Sequence, residues 1–382
     1  MTMIPRRHFL ASTSVAVSTT GGWTAAQALA PSAPAPQSSK AWQLLAVAPQ
    51  SHKVTDLGSD YRRGLELGLA QRPEVAVQLH WVEAPPTPNR AARSITAAID
   101  QRPQLHGVVG WMPPDVEAKV AAHAQPRGLP LWASDTGADL PAAAKPGQPH
   151  QAVVRHSLDL CGSAAQLAQA VYQQLGPRTV LAVGQMESGY DFVYTFEQAY
   201  RVLGGRVLAR HVGQQGPQSE EFHGLRATLF SHRPDAVVAL YSGRQLTRFA
   251  HWWRANAQSQ GAWALAGLPW LADIDTGGDT VIAGSWSSVA DAEAVWLQHF
   301  EKAGLLWTAA ALLGAEAGYS IAIAIEKTDQ QPSTSAMRKV WQRAELQGPR
   351  ADYSSTVASS SPLSSRHATP LLSGWLNGYL QT

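Results

Sequence analysis

Residues 179–241 constrain the fold more than any other stretch of this chain. Thr179-Val180-Leu181-Ala182-Val183 is a short, β-branched, apolar run without polar alternation, the pattern of a strand covered on both faces. A polar loop follows, Gly184-Gln185-Met186-Glu187-Ser188-Gly189-Tyr190-Asp191, and then Phe192, Phe196, Ala199, Tyr200 and Leu203 recur at helical spacing. Gly204-Gly205 suits a helix end, and Arg206-Val207-Leu208-Ala209 reads as the next strand. Ser219 can cap a second helix, with Glu220 and Glu221 in its first turn and Phe222, Leu225 and Leu229 facing inward. Pro234-Asp235 then turns into the apolar run 236–241. A βαβαβ series of this kind is half of a doubly wound parallel sheet. Such sheets take ligands beyond the carboxyl ends of their strands. The loop 188–191 and the corner Tyr241-Ser242-Gly243 are therefore the first candidates for a site.

A similar series lies upstream. Strands are expected at 42–48, 75–82, 105–109 and 129–133, the last ending in the corner Ser134-Asp135-Thr136. Between them fall helices from Ser59 to just before Pro73, from an Asn89 cap to Asp100, and from Asp115 to about 125. Residues 152–154 connect the two series, and a helix over 159–175 opens the second. Beyond Tyr241 the spacing predicts a helix with Leu246, Phe249 and Trp253 inward and Trp252 off that face. Strands at 262–266 and 281–286 follow, then helices near 290–304, 308–327 and 334–345, a Ser-rich stretch over 354–365 and an apolar strand over 371–379. The two series read as a weak internal duplication, with no short-period repeat.

A chain of 382 residues can form two domains with real cores, and 45% hydrophobic against 15% charged residues marks it as globular. The formal net charge of +2 gives no support for nucleic acid or an anionic membrane as a partner. Tryptophan, at 14 residues, outnumbers Tyr and Phe, and some of it can line a pocket. Cys161 is the single cysteine, so no intrachain disulfide forms and Cys-rich metal sites are excluded; its apolar neighbours suit a buried, inert thiol. No Gly-x-Ser-x-Gly, His-Glu-x-x-His, Walker loop or Gly-x-Gly-x-x-Gly is present, and the 13 His are scattered. The expectation is a chain that is not an enzyme, with no catalytic residues, no metal site and no cofactor.

Pro5-Arg6-Arg7-His8-Phe9-Leu10 resembles the twin-arginine export motif. A weakly hydrophobic stretch, diluted by Ser, Thr and Gly, runs to Ala30, and Ala26-Gln27-Ala28 offers small residues for cleavage. Residues 1–28 are thus expected to be a signal peptide and 29–41 a Pro/Ser/Ala linker. No cysteine stands near the cleavage region for a lipid anchor. The expected location is the periplasm, reached in a folded state through the twin-arginine machinery.

Several segments, in order, carry a further resemblance. Ser188-Gly189-Tyr190-Asp191-Phe192, Leu203-Gly204-Gly205-Arg206-Val207, Arg233-Pro234-Asp235-Ala236-Val237, Leu129-Pro130-Leu131 with the Thr136 corner, and Gly318-Tyr319-Ser320 resemble motifs of the type I periplasmic substrate-binding proteins. More narrowly, they resemble the branched-chain amino acid and amide subgroup that serves ABC importers. The resemblance covers residues 42–379. It implies an α/β fold of two Rossmann-like lobes, each a parallel sheet flanked by helices, joined by a three-crossover hinge. Lobe 1 would comprise 42–153 plus 287–365, and lobe 2 154–286 plus 366–382. It also implies a monomer that closes on a small-molecule ligand and then docks on the permease subunits of an ABC transporter.

Carried over by position, the implied ligand contacts are Trp111, Ser134, Thr136, Tyr190, Tyr241, Ser242 and Trp270. Two departures bear on the ligand. Amino-acid binders of this family present hydroxyls and N–H groups to the ligand carboxylate, but here the stretch is Met112-Pro113-Pro114-Asp115, where proline lacks an N–H and Asp115 repels an anion. Near Pro269-Trp270 the acidic residue that receives the ammonium is missing. A ligand that is not a plain α-amino acid follows, neutral or aromatic, framed by Trp111, Tyr190, Tyr241 and Trp270. The competing expectation is a sensor or accessory module that kept the fold and lost the ligand.

Overall fold

Side-chain parity along the strands builds both halves of the molecule. The computed structural model describes residues 41–51, 56–140, 153–214, 222–256, 263–268, 271, 276–277, 280–282, 294–344 and 348–349. The first half comprises β1 (Trp42–Pro49), α1 (Leu57–Ala70), β2 (Val77–Ala84), α2 (Pro88–Asp100), β3 (Gly107–Trp111), α3 (Pro114–Ala124), β4 (Leu131–Asp135) and β5 (Val153–Ser157). All its strand pairs are parallel, in the order β2-β1-β3-β4-β5. Successive side chains point to opposite faces. Leu45, Val47, Val108, Leu131 and Ala133 therefore meet Ile95 of α2 and Val116 and Val120 of α3. Leu44, Ala46, Val109, Trp132 and Val154 turn to the other face.

The second half comprises α4 (Leu160–Gln174), β6 (Arg178–Gly184), α5 (Asp191–Val202), β7 (Arg206–Gly213), α6 (His223–His232), β8 (Ala236–Leu240), α7 (Gly243–Asn256), β9 (Ala264–Gly267) and β10 (Thr280–Ile282). Its sheet is also parallel, in the order β7-β6-β8-β9-β10. In chain-order terms this is the 2-1-3-4-5 arrangement of the first sheet. Leu181, Val183, Val238 and Leu240 pack on α4 and α5. Val180, Ala182, Val237 and Ala239 pack on α6 and α7. The fold is thus two parallel sheets, each flanked by helices on both faces, as the sequence implied.

Helices α8 (Ala294–Lys302), α9 (Ala309–Glu326) and α10 (Thr334–Arg343) follow. Helix α9 is long and apolar enough to cross a membrane, but most of it is buried within the protein, against α1 and the first sheet. Its contact with α1 is made at backbone distance. At Gly64, Gly68, Gly314 and Gly318 an added Cβ would run into the facing helix backbone, for Gly314 into the Tyr61 carbonyl oxygen.

Several boundaries differ from expectation. The first sheet extends through Ser157, because Val153–Ser157 is a strand paired with β4 rather than a connector. Helix α2 is capped at Thr87 with Pro88 in its first turn, while Asn89 accepts a hydrogen bond from Lys119 Nζ (2.7 Å). Helix α3 begins behind Pro113, leaving Asp115 in its first turn rather than at the cap. Helix α6 starts after Phe222, and Leu203 is exposed at the end of α5. The Ser219 cap, the signal and linker segments, Trp270 and the 371–379 strand lie outside the described residues.

Candidate functional site

In a doubly wound sheet the crevice opens where strand order reverses, beyond the carboxyl ends. In the first sheet that point lies between β1 and β3, and in the second between β6 and β8. Trp111 ends β3 and stands half-buried at the first point, edge-on to Tyr61 with ring centroids 5.8 Å apart. Helix α3 starts beside it. Its first turn carries Asp115 and Glu117, and the Val116 and Glu117 N–H groups already bond the Pro113 carbonyl. An anionic ligand would meet the exposed Asp115 carboxylate there.

Ser134 is fully buried and its hydroxyl is committed. Tyr61 Oη donates to Ser134 Oγ (3.1 Å), Ser134 Oγ lies 3.0 Å from His156 Nδ1, and His156 Nε2 lies 2.9 Å from Glu316 Oε2. Read as one run of donors, the hydroxyl donates to Nδ1 and the Nε2–H to the carboxylate. All four side chains have essentially no exposed surface. Ser, His and Glu in hydrogen-bonded series match a hydrolase in composition, but with no access for a substrate they cross-link β4, β5, α1 and α9. Thr136 is half-buried, and its carbonyl accepts from the Leu160 N–H (3.1 Å) at the start of α4.

In the second sheet the loop after β6 folds as a short 3-10 turn, Glu187–Gly189, and delivers Tyr190 to the start of α5. Tyr190 keeps 36% of its surface exposed and stacks on Phe192 at 6.4 Å. Its phenol pKa is raised by burial and by the Asp139 and Glu187 carboxylates. Ser242 is half-buried, and its hydroxyl donates to Glu187 Oε1. Tyr241 lies elsewhere: it is fully buried, packed on Phe222 and Phe249 at 5.8 and 4.9 Å. Strand parity explains this, since Val237, Ala239 and Tyr241 share the face that meets α7. The structure thus brings Tyr190 and Ser242 together at one switch point and Trp111 to the other, and it encloses Ser134 and Tyr241.

Two functional candidates were not anticipated. Glu187 is only 4% exposed, a buried carboxylate at the rim of β6. Gln245, in the first turn of α7, has both amide atoms buried without a hydrogen-bond partner. Both converge over Gly184, where an added Cβ would run into Glu187 Oε2 and lie 3.0 Å from Gln245 Oε1.

Solved structures with this architecture are numerous. An ABC transporter substrate-binding protein from Sphaerobacter thermophilus superposes with a TM-score of 0.67 at 17% identity, covering 86% of this chain and 100% of that one. A solute-binding protein of an ABC transporter from R. palustris, solved in complex with benzoate, gives 0.60 at 19% identity, covering 86% and 98%. The fold is that of the type I periplasmic binding proteins. The leucine-binding protein LivK from Thermotoga maritima shares it too, with a TM-score of 0.57 at 17% identity over 79% of this chain and 87% of that one. No protein-family profile matches the chain, and no curated protein matches it in sequence.

Of the three crossovers expected in a type I periplasmic-binding-protein fold, the described residues contain the one from β5 to α4. It turns at Asp159, a non-glycine residue in the left-handed region (φ 52), where Asp is tolerated. The Asp159 carboxylate accepts from the Gly162 N–H (3.0 Å), and its own N–H bonds Ser157 Oγ (3.0 Å). A cavity of about 30 Å³ opens beside this turn, lined by Met112, Pro114, Glu117, Asp135, Asp139 and Arg155 among others, with room for a water or two. Arg155 holds Glu117 through two hydrogen bonds, 2.8 and 2.9 Å. Asp135 is pushed up to about 7, chiefly by burial and further by the Glu117 and Asp139 charges, against the Gly137 N–H and Arg155. Among the described residues no group of three or more His, Cys, Asp or Glu is placed to hold a metal ion.

Proposed function

We propose that this chain is the solute receptor of an ABC importer, working as a monomer in the periplasm after export through the twin-arginine machinery. The observation that carries the proposal is the pairing of two 2-1-3-4-5 sheets whose switch points each carry an aromatic side chain, Trp111 and Tyr190, beside polar groups. The solved proteins of similar fold are substrate-binding proteins of importers, which supports transport over sensing. Closure of the two lobes over a small organic solute would bury it and present a new surface to the permease.

The solute is not a plain α-amino acid. Pro113 and Pro114 remove N–H groups at the start of α3, and Asp115 and Glu117 occupy its first turn, so a carboxylate finds no anchor there. Benzoate, bound by the R. palustris protein, and leucine, after which the T. maritima protein is named, both carry that group, so they are the informative negative controls. Native mass spectrometry of freshly exported protein, with small-angle scattering before and after removal of any bound solute, tests the reading. A co-purified small molecule and a more compact particle when it is bound are expected. Protein that carries no solute, and that no periplasmic extract compacts, would instead make the chain a sensor or accessory module on the same fold.

A further inference from the structure

Resting on the reading of the chain as a receptor whose lobes turn against each other, we propose that the cavity at the β5-to-α4 crossover is a proton-operated hinge. With Asp135 protonated, the two halves stay drawn together across the cavity. With Asp135 ionised, carboxylates carried by the two halves repel and turn them apart. Both halves build the cavity: Met112 and Ala133 belong to the core under α2 and α3, Leu140 and Cys161 to the core under α4 and α5. Its carboxylates divide the same way. Glu117 stands on α3 and Asp135 ends β4. Asp159 caps α4, and Asp139 rides on the loop fastened to α5, where it accepts from the Asp191 N–H (3.4 Å). The chain leaves the first sheet beside this cavity twice, after Asp135 and after Ser157, so a turn of one half against the other changes the distances across it.

Arg155, the cation of the lining, is taken up by Glu117 through two hydrogen bonds (2.8 and 2.9 Å). Asp135 accepts from the Gly137 N–H (2.9 Å), a bond within its own loop. Once ionised, Asp135 shares a space of about 30 Å³ with Asp139 and Asp159, a short range for like charges with little water between them. A proton on Asp135 removes that repulsion and supplies a donor for the carboxylates of the other half, directly or through a water. Burial and the Glu117 and Asp139 charges push the Asp135 pKa up to about 7, against the Gly137 N–H and Arg155, so the exchange falls in the neutral range. Burial raises Asp139 as well, with the Asp191 and Asp115 charges adding to it and the Asp191 N–H opposing. Cys161 stays a thiol throughout, because burial and the Asp159 charge lift it well up. Tyr61 and His156 engage Ser134 on the other face of the sheet. The drawn-in halves hold the proton more tightly than separated ones, and linkage then makes the rotation itself depend on pH.

Energy transfer between two fluorophores reads the rotation. Arg93→Cys on α2 and Val202→Cys on α5 place the labels at exposed positions of the two halves, and Cys161 is too buried to compete for them. The exported chain, freed of any bound solute, is titrated from about pH 5 to about pH 9, a range that brackets the Asp135 transition. The cavity lies between the helices that carry the labels, so the label distance should lengthen as pH rises, with a midpoint near about 7. The rotation equilibrium should move by up to about tenfold for each pH unit within the transition. Asp135→Asn should hold the short distance at every pH. Asp139→Asn leaves β4 untouched and should shrink the change by about half or more, since it removes one of the opposing charges. A label distance that ignores pH in the wild-type chain overturns the proposal. So does a pH response that either variant, folded by its melting temperature, leaves at full size. Neither result depends on a ligand: a chain that answers to pH but takes up no solute fails the receptor reading alone, and one that binds a solute without answering to pH fails the hinge alone.

Discussion

Asp135→Asn should abolish a pH dependence of stability built into the rim of the first sheet. The Asp135 carboxyl titrates near 3.8 in an open chain and at about 7 in the folded protein, because burial and the Glu117 and Asp139 charges disfavour its ionised form. Between those two values the native state holds a proton that the unfolded chain has released. Stability therefore falls as pH rises through this window and levels off above the folded value. Each pH unit inside the window is worth up to about 1.4 kcal/mol, and the whole shift about 4 kcal/mol as an upper bound, since the cavity beside Asp135 admits water. Asparagine keeps the shape and cannot ionise. Urea unfolding of both proteins at pH 5, 6, 7 and 8, followed by tryptophan fluorescence, reads the difference. The variant should gain on the wild type with each step up to about pH 7, by up to about 2–3 kcal/mol in total. Stability curves that run parallel across this range would show that Asp135 is already ionised in the folded protein, and the account of the acidic rim would fail with it.

Three further outcomes follow from packing and burial. Gly314→Ala places a methyl group against the Tyr61 carbonyl, with two helix backbones that cannot separate without opening the α1–α9 contact. It should cost about 1–3 kcal/mol or more in thermal unfolding, whereas Gly189→Ala, with nothing within 4 Å of the new Cβ, should be near neutral. Ser134→Ala leaves Tyr61 Oη and His156 Nδ1 without their shared partner in a closed interior and should cost about 1–3 kcal/mol, without changing solute affinity. Cys161 is 2% exposed and its thiol is pushed well up by burial and the neighbouring Asp159 charge. A thiol reagent should therefore leave native protein unlabelled over hours and react fully in urea.

Most of the fold was legible because both sheets are buried on two faces and their strands are short apolar runs between Gly, Pro and Asp punctuation. The strand at Val153–Ser157 was not, because Arg155, His156 and Ser157 look like a connector. They are a buried strand whose polar side chains meet Glu117 on one face and Ser134 and Glu316 on the other. The site was less legible than the fold. Positional carry-over marks which loops approach a crevice but not which way a side chain turns within them. Strand parity would have moved Ser134 and Tyr241 inward, since each lies two residues beyond a core position on the same face, Trp132 and Ala239. Glu187 and Gln245 had no comparable signal. A Glu in a polar loop and a Gln in a first helical turn are ordinary surface residues until the folded chain closes over them.

The loop after β4 joins the site to the hinge. Its Thr136 and Gly137 carbonyls accept the first N–H groups of α4, both at 3.1 Å. The Ala138 carbonyl accepts from Phe192, the Leu140 N–H donates to the Asp191 carboxylate (2.9 Å), and Ala138 packs within the second core. The loop leaves one sheet yet is fastened to the helices of the other. A rotation of one sheet against the other must then be absorbed where the chain departs the first sheet, at Asp135 beside β4 and at Ser157 to Asp159 beyond β5. Those departures line the acidic cavity, and Asp139, carried by the same loop, accepts from the Asp191 N–H at the start of α5 (3.4 Å). This strap and the Tyr190 loop therefore belong to one body, and any rotation between the sheets would fall at Asp135 and at Ser157 to Asp159.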